Sequence, residues 1–158
     1  MTIRLAKKTD IPALLDLLDQ ILQVHHHVRP DIFQSTGGKY NAQELEERMM
    51  DPKTPVYVFV DDNDQVLGHL FITLKESQGA VLVPIKTLFI DDLCVDGKAR
   101  GQHIGEQLYH FAEQLAKEMG CYNLTLNVWN ANAGAVRFYE RLGLKPQETV
   151  MEQILKND

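Results

Sequence analysis

A glycine-bearing turn between an apolar run and an amphipathic run is the part of this sequence best suited to chemistry. The turn reads Arg100-Gly101-Gln102-His103-Ile104-Gly105, and the residues after it have helical spacing. The first N–H groups of a helix have no partner within it and lie at the positive end of its dipole. Gly101 lets the backbone approach a phosphate closely, and Arg100 adds a positive charge. The turn therefore predicts a pyrophosphate site, with a plain connecting turn as the alternative.

Bulk properties and missing motifs argue against several other functions. The chain has 158 residues and a net charge of −6, which suits one domain and argues against non-specific nucleic-acid binding. No Gly-Lys-Ser or Gly-Lys-Thr triplet forms a Walker loop, and the G-x-G-x-x-G dinucleotide spacing is absent. The apolar runs are too short to cross a bilayer, and the N-terminus lacks the layout of a secretion signal. We therefore expect a cytoplasmic protein without membrane contact.

Hydrophobic periodicity predicts the elements that hold this turn in place. We expect strands at residues 3–6, 56–60, 66–74, 83–95, 122–128 and 148–155, with a hairpin between the second and the third. We expect helices from residue 9 or 10 to 22, from 42 to 50, from 104 to 119 and from 133 to 142. Residues 24–40 contain Gly and Pro and are expected to form a loop or a broken helix. This order predicts a mixed sheet with helices on its faces.

Three parts of the sequence, in this order, resemble the GCN5-related N-acetyltransferase (GNAT) family. Residues 90–95 look like the family's fourth strand, and the turn after them resembles its R/Q-x-x-G-x-G/A signature. Residues 124–128 look like its fifth strand. The closing segment resembles N-x-x-A…F-Y-x-x-x-G through Asn132, Ala135, Phe138, Tyr139 and Gly143.

The resemblance covers essentially the whole chain and implies a fold. It implies an α/β (α+β) architecture in one domain, residues 1–158. The sheet would be mixed, mostly antiparallel and twisted, with six to seven strands and about four flanking helices. A splay is implied between strands 4 and 5.

The same resemblance implies an activity. It points to an N-acetyltransferase that moves the acetyl group of acetyl-CoA directly to a primary amine of a small molecule or peptide, without a metal, and relatives are often dimers. A non-catalytic acyl-CoA-binding module is the alternative. That alternative is favoured by His103 in place of the family's middle glycine, and by Asn127 where some relatives carry a glutamate. A nucleotide-binding domain that uses the same turn for another phosphate ligand is a third hypothesis.

The family pattern assigns the cofactor to the fourth strand, the turn, the end of the fifth strand and the last helix. The matching residues are Leu93, Cys94, Val95, Arg100, Gly101, Gln102, His103, Ile104, Gly105, Glu106, Asn127, Asn132, Ala135, Phe138 and Tyr139. The fourth-strand backbone is expected to bond the pantetheine arm as an added strand would. The N–H of Val95 or a neighbour is expected to polarise the thioester carbonyl.

Three residues are candidates for catalysis. Tyr139 falls at the family's general-acid position, and a phenol can protonate a leaving thiolate of comparable pKa. A half-buried structural tyrosine is the alternative. Asp91 and Asp92 are candidates for the base, or for orienting a cationic acceptor. As neighbours on a strand, they are expected to face opposite sides.

Other conspicuous residues receive weaker assignments. Three consecutive histidines, His25 to His27, cannot all face one metal ion from a helix. The region from His25 to Phe33, with Tyr40 and Trp129, instead offers candidate contacts to the acceptor. Both cysteines, Cys94 and Cys121, are expected to be buried free thiols.

Overall fold

The computed structural model describes residues 1–156, so the end of the domain expected over residues 1–158 lies outside the described residues. The chain has two compact units, Met1–Asn127 and a second unit that begins at Val128. The N-terminal unit contains the strands β1 (Thr2–Leu5), β2 (Val56–Val60), β3 (Val66–Glu76), β4 (Lys86–Val95) and β5 (Asn123–Leu126) and the helices α1 (Ile11–Val28), α2 (Ala42–Met50) and α3 (Ile104–Glu118). The C-terminal unit contains the helix α4 (Ala133–Arg141). A single domain stays a prediction.

The sheet of the N-terminal unit has its strands in the order β1-β2-β3-β4-β5. Neighbouring strands are antiparallel from β1 to β4, and β5 lies parallel to β4. The expected mixed, mostly antiparallel sheet with flanking helices is therefore confirmed. The strand number is five within residues 1–156, which corrects the expected six to seven.

The strand expected at residues 148–155 does not form. Its apolar side chains are open to solvent, with Val150 and Met151 exposed by 91% and 86%. A strand exists through hydrogen bonds to a neighbouring strand. The apolar pattern of residues 148–155 does not determine whether a neighbouring strand is available for pairing. The predicted strand is therefore wrong.

Helix α1 is longer than its pattern predicts. Leu14 and Leu18 are buried on its inner side, as expected, but the helix continues through the three histidines to Val28. Histidine is a moderate helix former and not a breaker. The helix ends beside Arg29, whose helical conformation is disfavoured by the following Pro30. The expected loop therefore begins after residue 28 and not at residue 24.

Helices cover both faces of the sheet. Val58 of β2 packs in one cluster with Leu14 of α1 and Leu45 of α2. The preceding residue of β2, Tyr57, contacts Phe111 of α3 edge-on at 4.7 Å between ring centroids. Successive residues of a strand point to opposite faces, so α1 and α2 lie on one face and α3 on the other. No helix in residues 1–156 is both long and apolar enough to cross a membrane.

Candidate active site

Strand β4 is paired for longer on one side than on the other. Its antiparallel pairing with β3 reaches Val95, whereas its parallel pairing with β5 ends at Ile90. Residues 91–95 therefore have no β5 residue in register with them, and we call this stretch the open edge. The expected splay between strands 4 and 5 is confirmed.

Alternation along the strand assigns the backbone groups at the open edge. The N–H of Asp96 donates to a β3 carbonyl at 2.8 Å. The Cys94 carbonyl also faces β3, since a Cβ added to Gly68 would lie 3.0 Å from it. Successive residues of an extended strand direct their N–H and C=O groups to opposite sides. The backbone groups of Leu93 and Val95 are therefore offered to an extended ligand, whereas those of Cys94 face β3.

The turn that follows contains two residues in the left-handed region of backbone space. Gly101 has φ of +86° and His103 has φ of +58°. The second value explains why glycine suits this position, because a side chain is disfavoured at positive φ. The His103 side chain is 80% exposed and lies 3.4 Å from Glu106, so its imidazole does not fill the turn.

The start of α3 presents backbone donors beside this turn. The first helical bond runs from the N–H of Gln107 to the carbonyl of His103 at 3.0 Å. The N–H groups of Ile104, Gly105 and Glu106 precede that bond, and the N-cap side chain does not satisfy them. Together with Arg100, which is exposed, these donors can hold an anionic phosphate group.

A side chain from α1 fixes the beginning of the turn. The Gln20 side-chain carbonyl accepts the N–H of Gly97 at 3.0 Å, and the Asp96 carboxylate accepts the N–H of Lys98, also at 3.0 Å. Gln20 is not predicted from the sequence, because nothing in the helical pattern distinguishes it from other polar positions. It ties the turn before α3 to the helix that also carries His25.

Asp91 is held by several partners on the α2 side. Its carboxylate accepts hydrogen bonds from Arg48 at 2.8 Å and from the hydroxyl of Thr73. Arg48 also donates to the Tyr40 hydroxyl at 3.0 Å and lies over the Phe71 ring. Tyr40, which was expected near the acceptor, therefore shares its hydrogen-bond donor Arg48 with Asp91.

Asp92 lies beside a histidine that the sequence analysis did not single out. The Nε2 atom of His69 is 3.8 Å from its Oδ2 atom, and the side chains of His69 and Asp92 are 0% and 10% exposed. His69 and Thr73 lie at even spacing on β3, so their partners Asp92 and Asp91 approach the same face of the sheet. The expectation that the two aspartates face opposite sides is therefore wrong.

A β-bulge gives the physical reason for this correction. Phe71 pairs with Asp92 and Ile72 pairs with Ile90, so Asp91 is an extra residue on β4. A bulge places two residues opposite one and breaks the alternation of side chains. The pattern of a single strand does not reveal it, because a bulge is a property of the pair.

His25 lies near this carboxylate on the side of α1. Burial lowers its pKa from the ordinary 6.5, the charge of Asp92 opposes this, and Lys39 acts in the same direction as burial. Its ring contacts that of Phe33 at 4.8 Å between centroids. His25 is therefore disposed to remain neutral at neutral pH, within electrostatic range of the Asp92 carboxylate.

The cysteines do not offer a nucleophile or a metal site. Burial, helped by the charge of Asp92, raises the pKa of Cys94 to about 12, and its thiol donates weakly to the Leu17 carbonyl. Burial also raises the pKa of the Cys121 thiol. Cys94 is buried, as expected, and Cys121 is half-buried. Within residues 1–156, no group of three His, Cys, Asp or Glu side chains is placed to hold a metal ion.

The C-terminal unit carries the remaining candidates. The Asn132 side chain caps α4 by accepting the N–H of Ala135 at 3.2 Å. Tyr139 is half-buried, and its ring contacts that of Phe138 edge-on at 5.0 Å. Two candidates, Ala135 and Tyr139, thus lie on α4, and a third, Asn132, caps its start. Trp129 is 37% exposed, and Asn127 is an exposed residue after β5 in the N-terminal unit.

Comparison with known proteins gives consistent matches. Residues 18–144 match the model of the Acetyltransferase (GNAT) family. The chain is 35% identical over 111 residues to the peptidyl-lysine N-acetyltransferase YjaB of Salmonella typhimurium. This alignment covers 69% of the chain but 63% of YjaB, which is less than two thirds of that relative's length.

Solved structures with the same fold span nearly the whole chain. A point mutant of the BH1408 protein from Bacillus halodurans has a TM-score of 0.93 at 30% identity, covering 99% of this chain and 100% of that one. Glucosamine-6-phosphate N-acetyltransferase from Arabidopsis thaliana has a TM-score of 0.71 at 19% identity, with 98% of both chains covered. The second likeness is one of fold alone.

Proposed function

Because the chain belongs to the acetyltransferase (GNAT) family, we propose that it transfers an acetyl group from acetyl-CoA to a primary amine of a small molecule or peptide. The observation that carries the proposal is the open edge of β4, which leads directly into the turn and the free N–H groups of α3. A ligand with an amide-bearing arm and a pyrophosphate matches this order of donors. The residues present therefore fit the cofactor that the family uses.

Each part of the cofactor has a proposed partner. The backbone groups of Leu93 and Val95 bond the pantetheine amides in the manner of an added strand. The turn with Arg100 and the α3 N–H groups bind the pyrophosphate. Acetyl-CoA supplies an activated thioester, and the N–H of Val95 is the proposed donor to its carbonyl oxygen.

The state of Cys94 supports direct attack by the amine. A buried thiol with a pKa of about 12 is almost entirely protonated at neutral pH and is a poor nucleophile. The acceptor ammonium must lose a proton before its nitrogen attacks, and Asp92 is the carboxylate proposed to bind this ammonium and to accept that proton. Asp91 is less suited to this role, because its Oδ2 atom already accepts hydrogen bonds from Arg48 and Thr73. Tyr139 is the proposed acid for the leaving thiolate.

The acceptor proposed first is a lysine side chain in a peptide. The relative YjaB is named a peptidyl-lysine N-acetyltransferase, and a lysine ammonium matches the negative charge of Asp92. Small-molecule amines remain within the proposal, because the same carboxylate serves any primary ammonium. A non-catalytic acyl-CoA-binding module is the second candidate, and it is favoured by Asn127 after β5, where some relatives carry a glutamate.

The test combines cofactor binding with turnover. Acetyl-CoA should raise the melting temperature, and a panel of lysine peptides and small amines should release CoA. Arg100→Ala should raise the KM for acetyl-CoA about tenfold, the value of one charge-assisted hydrogen bond. Lys98→Ala is the matched control, because Lys98 is a cation in the same segment. Stabilisation without turnover would favour the binding module, and the absence of both would refute the proposal.

The proposal also includes a homodimer. Four apolar side chains in one short segment are at least 62% exposed, namely Val150, Met151, Ile154 and Leu155. Clustered exposed apolar residues commonly mark a surface that another chain covers. Light scattering should give twice the monomer mass, and Val150→Glu with Leu155→Glu should halve it. A monomer at micromolar concentration in the unmodified protein would contradict this part.

A further inference from the structure

The buried imidazole of His69 is the polar group that the fold leaves least satisfied. Its side chain is fully buried, and neither ring nitrogen has a hydrogen-bond partner in the described residues. The ring contacts Phe71 edge-on at 4.7 Å between centroids. Buried polar atoms normally have partners, and an unsatisfied one lowers stability. An apolar residue would pack at this place without that cost.

One direction from the ring leads to a carboxylate. Nε2 lies 3.8 Å from Oδ2 of Asp92. This distance exceeds a normal N–H···O hydrogen bond by about 1 Å. Asp92 has the more exposed side chain of the two. His69 therefore lies behind Asp92, where it can act on a ligand only through that carboxylate.

We propose that His69 is a positioning residue for the acceptor amine. In this arrangement its Nε2–H donates to Oδ2 of Asp92 and leaves Oδ1 to receive the acceptor ammonium. The inference rests on the proposed function, since it assigns the Asp92 subsite to a primary ammonium. No proton transfer to His69 is required, because a neutral imidazole already carries the N–H that the carboxylate needs.

The neighbouring charges are consistent with this role. The carboxylate of Asp91 is engaged by Arg48 and therefore does not compete for the imidazole N–H. The Cys94 thiol, two residues along the strand, bonds to the Leu17 carbonyl. His25, on α1, has a pKa lowered mainly by burial, so it adds little positive charge. Asp92 is consequently the carboxylate in this set that still needs a donor.

Side-chain reach provides the first test. His69→Gln places an amide N–H near the position of Nε2, whereas His69→Asn places one near Nδ1, and His69→Leu has none. We expect His69→Leu and His69→Asn to raise the KM for the amine about tenfold, with the KM for acetyl-CoA unchanged. His69→Gln should remain within about threefold of the parent protein. If all three variants behave alike, or if both KM values rise together, the inference is wrong.

The melting temperature provides a second test, because replacing a merely structural residue would lower it. In the structure, neither ring nitrogen of His69 has a hydrogen-bond partner among residues 1–156, so the melting temperature of His69→Leu measured without amine should equal or exceed that of the parent protein. A variant that is more stable yet binds the amine more weakly is the result expected. A large loss of stability with unchanged kinetics would make His69 structural and overturn the inference.

The ring itself can be observed by nitrogen NMR of the imidazoles, without turnover. The spectrum should show His69 protonated at Nε2, and Asp92→Asn should change its shifts. Butylammonium, a mimic of the lysine side chain, should shift the His69 signals in the parent protein but not in Asp92→Asn. Protonation at Nδ1 would overturn the inference even if the enzyme is active. If no amine is acetylated while these shifts occur, the proposed function fails and the His69–Asp92 pair stands.

Discussion

Replacing His103 with glycine should stabilise the protein, although it removes a side chain. His103 has φ of +58°, and a non-glycine residue in the left-handed region loses about 1–2 kcal/mol. Glycine relieves this cost but makes the unfolded chain more flexible, which subtracts about 0.5–1 kcal/mol. The contact of the imidazole with Glu106 involves two exposed groups and contributes about 0.5 kcal/mol at most.

The balance is a net gain of about 0.5 kcal/mol in the free energy of unfolding. For a chain of this size that corresponds to roughly 1–2 °C in melting temperature. His103→Ala is the matched control, because it removes the imidazole but keeps a Cβ at the same φ. It should be no more stable than the parent protein.

Urea denaturation of both variants measures these differences, and titration with CoA measures binding. Affinity for CoA should stay within about threefold in both variants, because the backbone donors at the start of α3 are kept. A glycine variant less stable than the alanine variant would refute the reasoning about the positive φ. A large loss of CoA affinity in both would show that the imidazole contacts the cofactor.

Tyr139→Phe should lower kcat about 100-fold and leave the KM for acetyl-CoA unchanged, because only the proton donor is removed. Arg48→Met should destabilise the protein by about 3 kcal/mol, since the carboxylate of Asp91 loses its cation while its side chain is 17% exposed. Burial lowers the pKa of His25 below 6.5, so the unfolded chain binds the proton first as the pH falls. Stability should therefore drop below about pH 6.5, and His25→Gln should reduce that drop.

A specific result would contradict each of these three predictions. Equal kcat for Tyr139→Phe at every pH would remove the phenol from the reaction. Adding Asp91→Asn to Arg48→Met should recover part of the lost stability, and no recovery would mean that the arginine acts by packing alone. For His25, thermal unfolding from pH 5 to 8 decides the matter, and parallel curves for parent and variant would contradict the lowered pKa.

Elements governed by local chemistry were predicted well. Helix α2 begins after Asn41, whose side chain and that of Glu44 cap each other's backbone, and it ends before Pro52, as the sequence predicts. Strand β2 also matches its predicted bounds. The turn before α3 was predicted because glycine at Gly101 and the helix start are both encoded within a few residues.

Features that depend on distant partners were not predictable in this way. The pairing of Arg48 with Asp91 joins residues 43 positions apart in the sequence, and the bulge at Asp91 depends on the register between two strands. The burial of His69 follows from which face of β3 the core occupies. No periodicity within one segment contains that information, so the sequence predicted the turn and the start of α3 but not the contacts that Asp91 and Asp92 make.

The extra residue in β4 also determines how many charged side chains share one face of the sheet. With strict alternation, one aspartate would face α1 and α2 and the other would face α3. The bulge brings both carboxylates to the face where Arg48 lies, so among these three side chains two formal negative charges accompany one positive charge. The sum is one negative charge, which a single ammonium group would neutralise. Removing one residue from β4 would therefore change the number of cations that this side of the sheet can balance.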